Sequence, residues 1–169
     1  MCAIYGYLQA GKEFFAMYQV FDFQNLSHSG IVQLLYVTPS RFERDWNGNR
    51  HSHECFEISF CIQGKGDYLV RDAIVPVKAD DFVIIPPGVE HAERSTPSAP
   101  LEYIILGITG IELTFLNSSS GYYKGTFATQ QMFVLNLLSA LLQELEQKQP
   151  DYSTACYNIL NILLLDYKK

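Results

Sequence analysis

Short runs of apolar and β-branched residues fill the middle of the chain, with turn residues between them. These runs cover residues 31–38, 54–63, 67–71, 74–78, 82–86 and 101–109. Closely spaced runs of this length are typical of a β-barrel or β-sandwich and do not suit a parallel α/β sheet. Residues 64–67 and 71–73 are predicted to form hairpin turns, and residues 94–100 a loop. The pattern therefore predicts a mainly β unit.

The spacing of the apolar residues becomes helical after residue 125, beyond a connector predicted at 117–125. One stripe is formed by Val134, Leu138, Leu141 and Leu145. This first helix is expected to end before Pro150, and a second begins after Asp151, a candidate N-cap. We predict a barrel over residues 1–125 and a helical region of the same domain over 126–169.

Composition and charge narrow the possible functions. The chain has 169 residues, 48% of them hydrophobic, which suits one compact domain. Its net charge is -6 and it has no long basic run, so the chain itself is not expected to bind nucleic acid. We find no secretion signal and no membrane-spanning run, and therefore expect a cytoplasmic protein that has no membrane partner. The four cysteines lack the close spacing of zinc or redox motifs, and we interpret them as reduced, buried thiols.

Candidate chemistry is concentrated in two short segments that hold three of the four histidines. Side chains alternate between the two faces of a strand, so His51, His53 and Glu57 are predicted to share one face. His91 follows a stiff Pro-Pro-Gly turn, which could place its imidazole over the same face. Imidazole and carboxylate groups suit iron, manganese, nickel or zinc, and this set would leave coordination positions open. The same residues could also line a polar pocket without metal, so a metal is possible but not required.

The spacing of these residues resembles the two motifs of the cupin superfamily. The first motif is matched by His51, His53, Glu57 and Gly64, and the second by Pro86, Gly88 and His91. Asp80 stands where the second motif usually has glycine. The resemblance implies a double-stranded β-helix, or jelly-roll barrel, followed here by two C-terminal α-helices.

Residues 57–64 and 81–91, together with the leucine-rich helices, resemble the sensor and dimerisation domain of AraC-type transcription regulators. This likeness covers roughly residues 31–169. It implies a domain that binds a small-molecule effector, forms a homodimer, and controls a helix-turn-helix DNA-binding domain outside this chain. Activity as an enzyme is not expected. The alternative is a stand-alone metal-dependent cupin enzyme, such as a dioxygenase or an isomerase, for which the chain shows no separate acid or base.

Two sets of residues are assigned to these roles. Ser59 and Cys61 continue the strand face that carries the ligands, and Tyr68 could face them. The predicted ligand-binding residues are therefore His51, His53, Glu57, Ser59, Cys61, Tyr68 and His91. The second helix has an apolar surface wider than one contact face requires, which favours a partner surface. The predicted dimer contacts are Ile159, Leu160, Leu163 and Leu164.

Overall fold

The computed structural model describes the main chain of residues 21–22 and residues 32–41, 48–96, 98–111 and 121–165. Short strands come first and two helices follow. The strands are β1 Phe21–Asp22, β2 Gln33–Arg41, β3 Phe56–Gln63, β4 Lys65–Val70, β5 Ala73–Lys78, β6 Asp81–Ile85, β7 His91–Ser95, β8 Glu102–Thr109 and β9 Tyr123–Thr126. The α-helices are α1 Gln131–Gln147 and α2 Tyr152–Leu165, and a 3-10 turn at Ala128–Gln130 leads into α1.

The strands form two antiparallel sheets. The larger sheet has the order β1-β2-β8-β3-β6-β9, and the smaller has the order β5-β4-β7. Seven of the eight residues of β8 and all five of β6 are buried, so these strands are covered on both faces. Along β3, Ile58 and Phe60 pack with the helices, whereas Cys61 packs in a second core with residues of the smaller sheet. The larger sheet is thus the middle of three layers, and the predicted jelly-roll class with two C-terminal helices is confirmed.

Some local predictions are wrong: one assumed that neighbouring runs pair, and two missed the strands β7 and β9. Residues 64–67 do not form a hairpin, since β3 and β4 lie in different sheets. The turn at Arg71 does join the paired strands β4 and β5, and Arg71 has a left-handed φ of 51°. Part of the predicted loop at 94–100 belongs to β7, and part of the predicted connector forms β9, which pairs with β6.

Asp80 keeps the turn that glycine makes in the second cupin motif. Its φ is 69°, in the left-handed region that aspartate tolerates better than most residues. The Asp80 amide donates to the carbonyl of Cys61, and its carboxylate accepts from the Gln131 side-chain amide at 2.9 Å. The departure from the motif therefore preserves the backbone and adds a contact to the start of α1.

β5 is one of the two edge strands of the smaller sheet, and it carries Pro76. Proline has no N–H to donate along a sheet edge. The Pro76 carbonyl accepts a hydrogen bond of 2.6 Å from Lys124 Nζ on β9, and the same ammonium group lies 2.9 Å from the Asp81 carboxylate. Lys124 thereby links the edges of the two sheets.

The helices begin and end close to where the sequence predicts, with the break at Pro150. Asp151 directly precedes α2, but its φ of 66° differs from the extended backbone of an ordinary N-cap. Neither described helix combines the length and apolar character that a membrane crossing requires.

The buried leucines of α2 pack within the single chain. Leu160, Leu163 and Leu164 are 0%, 3% and 1% exposed and belong to the core between the helices and the larger sheet. The sequence predicts these side chains as partner contacts, but the sheet and α1 already cover them. Ile159 is partly buried against the same core. The apolar residues of α2 that remain exposed are Ile162 and Leu165. Homodimerisation stays a prediction.

Two glycines with left-handed backbone conformations give a matched test of how closely the main chain packs around Gly64. A Cβ at Gly64 would lie 1.9 Å from the carbonyl oxygen of Pro100, whereas Gly88 has open space around it. We expect Gly88→Ala to cost about 1–2 kcal/mol from its backbone conformation alone. Gly64→Ala should cost clearly more, because main-chain atoms must also move. Urea unfolding of both variants measures the difference, and equal losses would contradict the close packing at Gly64.

Candidate functional site

A reciprocal main-chain pair joins the two segments that carry the histidines. The His51 amide donates to the carbonyl of His91, and the His91 amide donates to that of His51, both at 2.9 Å. The Gly48 amide also donates to the carbonyl of Glu93 at 2.9 Å. His51 is an isolated bridge residue, and β3 begins only at Phe56. These hydrogen bonds, and not one continuous strand as the sequence suggested, bring His51 over the site.

The Pro-Pro-Gly turn positions His53 as well as His91. The Val89 amide donates to the Pro86 carbonyl at 3.3 Å, and Gly88 has a φ of 72°, as a type II turn requires. The Gly88 amide then donates to the carbonyl of His53 at 2.8 Å. The turn therefore starts β7 at His91 and also fixes the main chain at His53.

The four predicted metal-binding side chains converge on one site. Each of His51, His53, Glu57 and His91 offers a donor atom, and these atoms lie within 4.8 Å of one another. The imidazole centroids of His51 and His91 are 4.4 Å apart, and those of His51 and His53 are 4.9 Å apart. The His53 side chain is 35% exposed, whereas those of Glu57 and His91 are 5% and 1% exposed. The site thus has a buried floor and a more open side.

Main-chain carbonyls occupy Nδ1 of two histidines, so each would bind a metal through Nε2, and His91 would exchange its contact with Glu57 to do so. Nδ1 of His51 donates to the carbonyl of Asn49 at 2.8 Å, and Nδ1 of His91 donates to that of Val89 at 2.9 Å. Metal-binding histidines are commonly oriented in this way. Nε2 of His91 lies 2.8 Å from Glu57 Oε2. Two lone pairs at that distance repel, so a proton or a cation must lie between them. The residues fit a divalent transition metal.

The electrostatics of the floor match this pairing. Burial acts to raise the pKa of Glu57, but hydrogen bonds from His91 and Tyr36 outweigh it and lower the pKa. Burial acts to lower the pKa of His91, yet its hydrogen bonds to Glu57 and to the Val89 carbonyl raise it. At the open side, burial lowers the pKa of His53. The floor therefore holds a carboxylate beside a histidine that favours its protonated form, whose proton a metal would displace, whereas His53 favours the neutral form that binds metals.

Two residues that the sequence analysis did not single out also lie at the site. The Tyr36 hydroxyl, from β2, donates to Glu57 Oε1, and burial raises the pKa of this phenol. Glu93 is 5% exposed; burial raises its pKa, while the nearby charges of His91 and His51 act to lower it. Glu93 lies two positions after His91, so correct assignment of β7 would have placed it on the same face. Nothing in the sequence marks Tyr36.

The other three predicted ligand-binding residues lie deeper. Ser59, Cys61 and Tyr68 are each 0% exposed, and Cys61 and Tyr68 belong to the core between the sheets. Tyr68 on β4 lies directly opposite Glu93 on β7. Among the described residues, Ser59 Oγ, Tyr68 OH and Glu93 Oε1 are buried without a well-formed hydrogen bond. Their role in ligand binding stays a prediction.

Other residues near the motifs divide into exposed carboxylates and buried thiols. Glu54 and Glu90 are exposed, and Glu90 pairs with Arg50 at 3.2 Å. Cys55, Cys61 and Cys156 are buried free thiols. His28 and Cys2 lie outside the described residues.

A model of one protein family matches most of the chain. The family is described as the AraC-like ligand binding domain, and the match covers residues 16–158. This chain belongs to that family. The match does not include a DNA-binding domain, so the family assignment applies to the ligand-binding domain alone.

Two solved structures resemble this AraC-like domain. YhaK from Escherichia coli aligns with a TM-score of 0.55 and 16% identity over 74% of this chain and 54% of that protein. Oxalate decarboxylase from Bacillus subtilis aligns with a TM-score of 0.48 and 17% identity over 57% of this chain and 26% of the enzyme. At such identity, the likeness to YhaK supports the fold alone.

A curated protein also resembles part of this AraC-like domain. Acireductone dioxygenase from Saccharomyces cerevisiae is 40% identical over 55 residues, which cover 28% of this chain and 31% of the enzyme. The alignment thus spans about a third of that relative. The expectation that the chain is not an enzyme is contradicted by this likeness, because the relative is an enzyme. The lack of a recognisable separate acid or base in the sequence does not exclude an enzyme, because a bound metal can itself supply the chemistry.

Proposed function

We propose that this chain is the small-molecule-binding domain of an AraC-like transcription regulator, and that it binds its ligand at a divalent metal. The observation that carries the proposal is the convergence of four donor atoms within 4.8 Å. His51, His53, Glu57 and His91 would hold the metal. A bound ion of this kind acts as a Lewis acid and binds oxygen or nitrogen donors at its open positions.

The chain's own residues would orient the ligand and exclude water from one side. Glu57 and His91 form the buried floor, so a ligand would approach from the side where His53 is exposed. Ser59, Tyr68 and Glu93 add buried polar groups beneath the floor, and Ser59 and Tyr68 interact with each other. The polar lining of the site favours a small polar molecule with both donors and acceptors.

The layered fold supports a sensing role. Glu57 faces the site, whereas Ile58, the next residue of β3, packs in the core with Leu138 and Leu160 of the two helices. We therefore expect a movement of β3 to change the packing of both helices. The ligand can shift their arrangement only by as much as its affinities for the two arrangements differ. DNA would be bound by a domain outside this chain.

Metal analysis and gene sequence test the two parts of this proposal. After supplementation with iron, manganese, nickel or zinc, we expect one metal ion per purified chain. His53→Ala should lose most of it and stay folded, because His53 lies at the edge of the core. Absence of stoichiometric metal would refute the metal centre.

Two helix-turn-helix units are expected in the codons after Lys169, and a stop codon in that position would refute the regulator.

A second candidate is a metal-dependent dioxygenase, which the likeness to acireductone dioxygenase favours. The same donor set would serve it, since three histidines and a glutamate leave open positions on a metal. Oxygen uptake by the iron-loaded chain with acireductone is the direct measurement. Uptake that depends on both metal and substrate would support this candidate, and none above the metal-free control would count against it.

A further inference from the structure

Tyr36 reaches the metal-binding carboxylate from two strands away. In the larger sheet, β8 lies between β2 and β3. Gly107 of β8 is the direct partner of Tyr36 on one side and of Glu57 on the other. Directly paired residues project to the same face of a sheet, so these three positions form one row across it.

Gly107 leaves the space in which the Tyr36 ring lies. A Cβ at Gly107 would come within 2.3 Å of the ring, closer than carbon atoms can approach. Any other residue would therefore displace Tyr36 or itself. The ring crosses the middle strand at this gap, and its hydroxyl donates to Glu57 Oε1.

A β-bulge turns Tyr36 toward the site. Leu34 pairs with Ile108 and Tyr36 pairs with Gly107, so Leu35 is an extra residue in β2. Leu34 packs in the helix-side core, and regular alternation would place Tyr36 on that same side. The extra residue instead sends Tyr36 to the core between the sheets.

The Tyr36 hydroxyl sits in a short chain of hydrogen bonds. It donates to Glu57 and accepts from the Cys55 thiol at 3.6 Å. Oε1 of Glu57 accepts from Tyr36 and lies 3.3 Å from His53 Nε2, while Oε2 lies 2.8 Å from His91 Nε2. The two carboxylate oxygens have different partners.

We propose that Tyr36 is a positioning residue of the metal centre, which holds Glu57 Oε1 so that the carboxylate binds metal through one oxygen. Gly107 and the bulge at Leu35 let the tyrosine reach that oxygen. The inference rests on the proposed metal centre and adds to it a fifth side chain that does not itself bind the ion. Partners of this kind commonly change metal affinity by about 10–100-fold.

Titration with Mn(II) alone, and the absorption spectrum with Co(II) alone, test the role. We expect Tyr36→Phe to weaken Mn(II) binding by about 10–100-fold. It should also alter the Co(II) bands, because Glu57 is then free to bind through both oxygens. Tyr123→Phe, at an exposed tyrosine of β9, is the matched control and should change neither measurement. Far-ultraviolet circular dichroism checks that the fold is kept.

Gly107→Ala provides a second route to the same loss. It should weaken Mn(II) binding, and it should add little in a chain that already carries Tyr36→Phe. Unchanged affinity and spectrum in Tyr36→Phe, beside a wild-type chain that binds one ion, would overturn the positioning role alone. A wild-type chain that binds no ion would overturn the metal centre as well. If Gly107→Ala does not fold, the tyrosine variant decides the question.

Discussion

Glu57→Gln is expected to weaken transition-metal binding by at least about 100-fold. Loss of a residue that only supports a metal ligand commonly costs about 10–100-fold, and loss of the ligand itself should cost more. The amide is neutral and binds metals poorly, while its size matches that of the carboxylate. Its oxygen can still accept from Tyr36 and its nitrogen can donate to Nε2 of His91, so the floor should remain packed. Isothermal titration with Zn(II) or Mn(II) gives the affinity.

Glu54→Gln is the matched control for this experiment. Glu54 lies three residues earlier and is exposed, so the same chemical change leaves the donor set intact. Equal losses in the two variants would indicate a general effect of charge. Full affinity in Glu57→Gln would remove the carboxylate from the metal site and leave the three histidines as its protein ligands.

Leu160→Asp is expected to have the largest effect on folding. Leu160 is fully buried between α2 and the larger sheet, and aspartate would bring an unpaired charge into that core. The loss of packing and the burial of charge together should cost about 4 kcal/mol or more. A loss of this size is a large part of the stability of an ordinary domain, so the variant should be unfolded or nearly so.

Ile162→Asp separates this effect from a change in oligomeric state. Ile162 lies on the same helix but is 40% exposed. Its replacement should change the free energy of unfolding by no more than about 0.5 kcal/mol. Urea unfolding and sedimentation of both variants give stability and mass. A folded, monomeric Leu160→Asp chain beside a dimeric wild type would instead place Leu160 in a partner interface, as the sequence predicts.

The convergence of the four candidate metal ligands could be predicted because their spacing survives small errors in local structure. His51, His53 and Glu57 were assigned to one strand, which begins only at Phe56. They nevertheless converge, because main-chain hydrogen bonds from His51 to His91 and from Gly88 to His53 replace the expected strand pairing. The motif thus predicted the convergence of these side chains for a partly incorrect geometric reason.

The residues that the sequence could not assign depend on long-range pairing. Tyr36 reaches the site through a one-residue bulge in β2, and a shift of one residue exchanges the two faces of a strand. The burial of the α2 leucines within one chain could not be predicted for a different reason. Cys156, Tyr157, Leu160, Leu163 and Leu164 form one continuous stripe, and its burial is complete only because a doubly covered sheet and α1 both lie against it.

Pro76 limits how this domain can associate with another copy of itself. Exposed sheet edges are templates for strand addition, the usual start of aggregation and domain swapping. Along β5 the proline offers no donor, and its carbonyl is already occupied by Lys124. Growth of the smaller sheet across this edge is therefore disfavoured at both backbone groups. A homodimer, as the sequence predicts, would therefore have to form through a surface other than this edge.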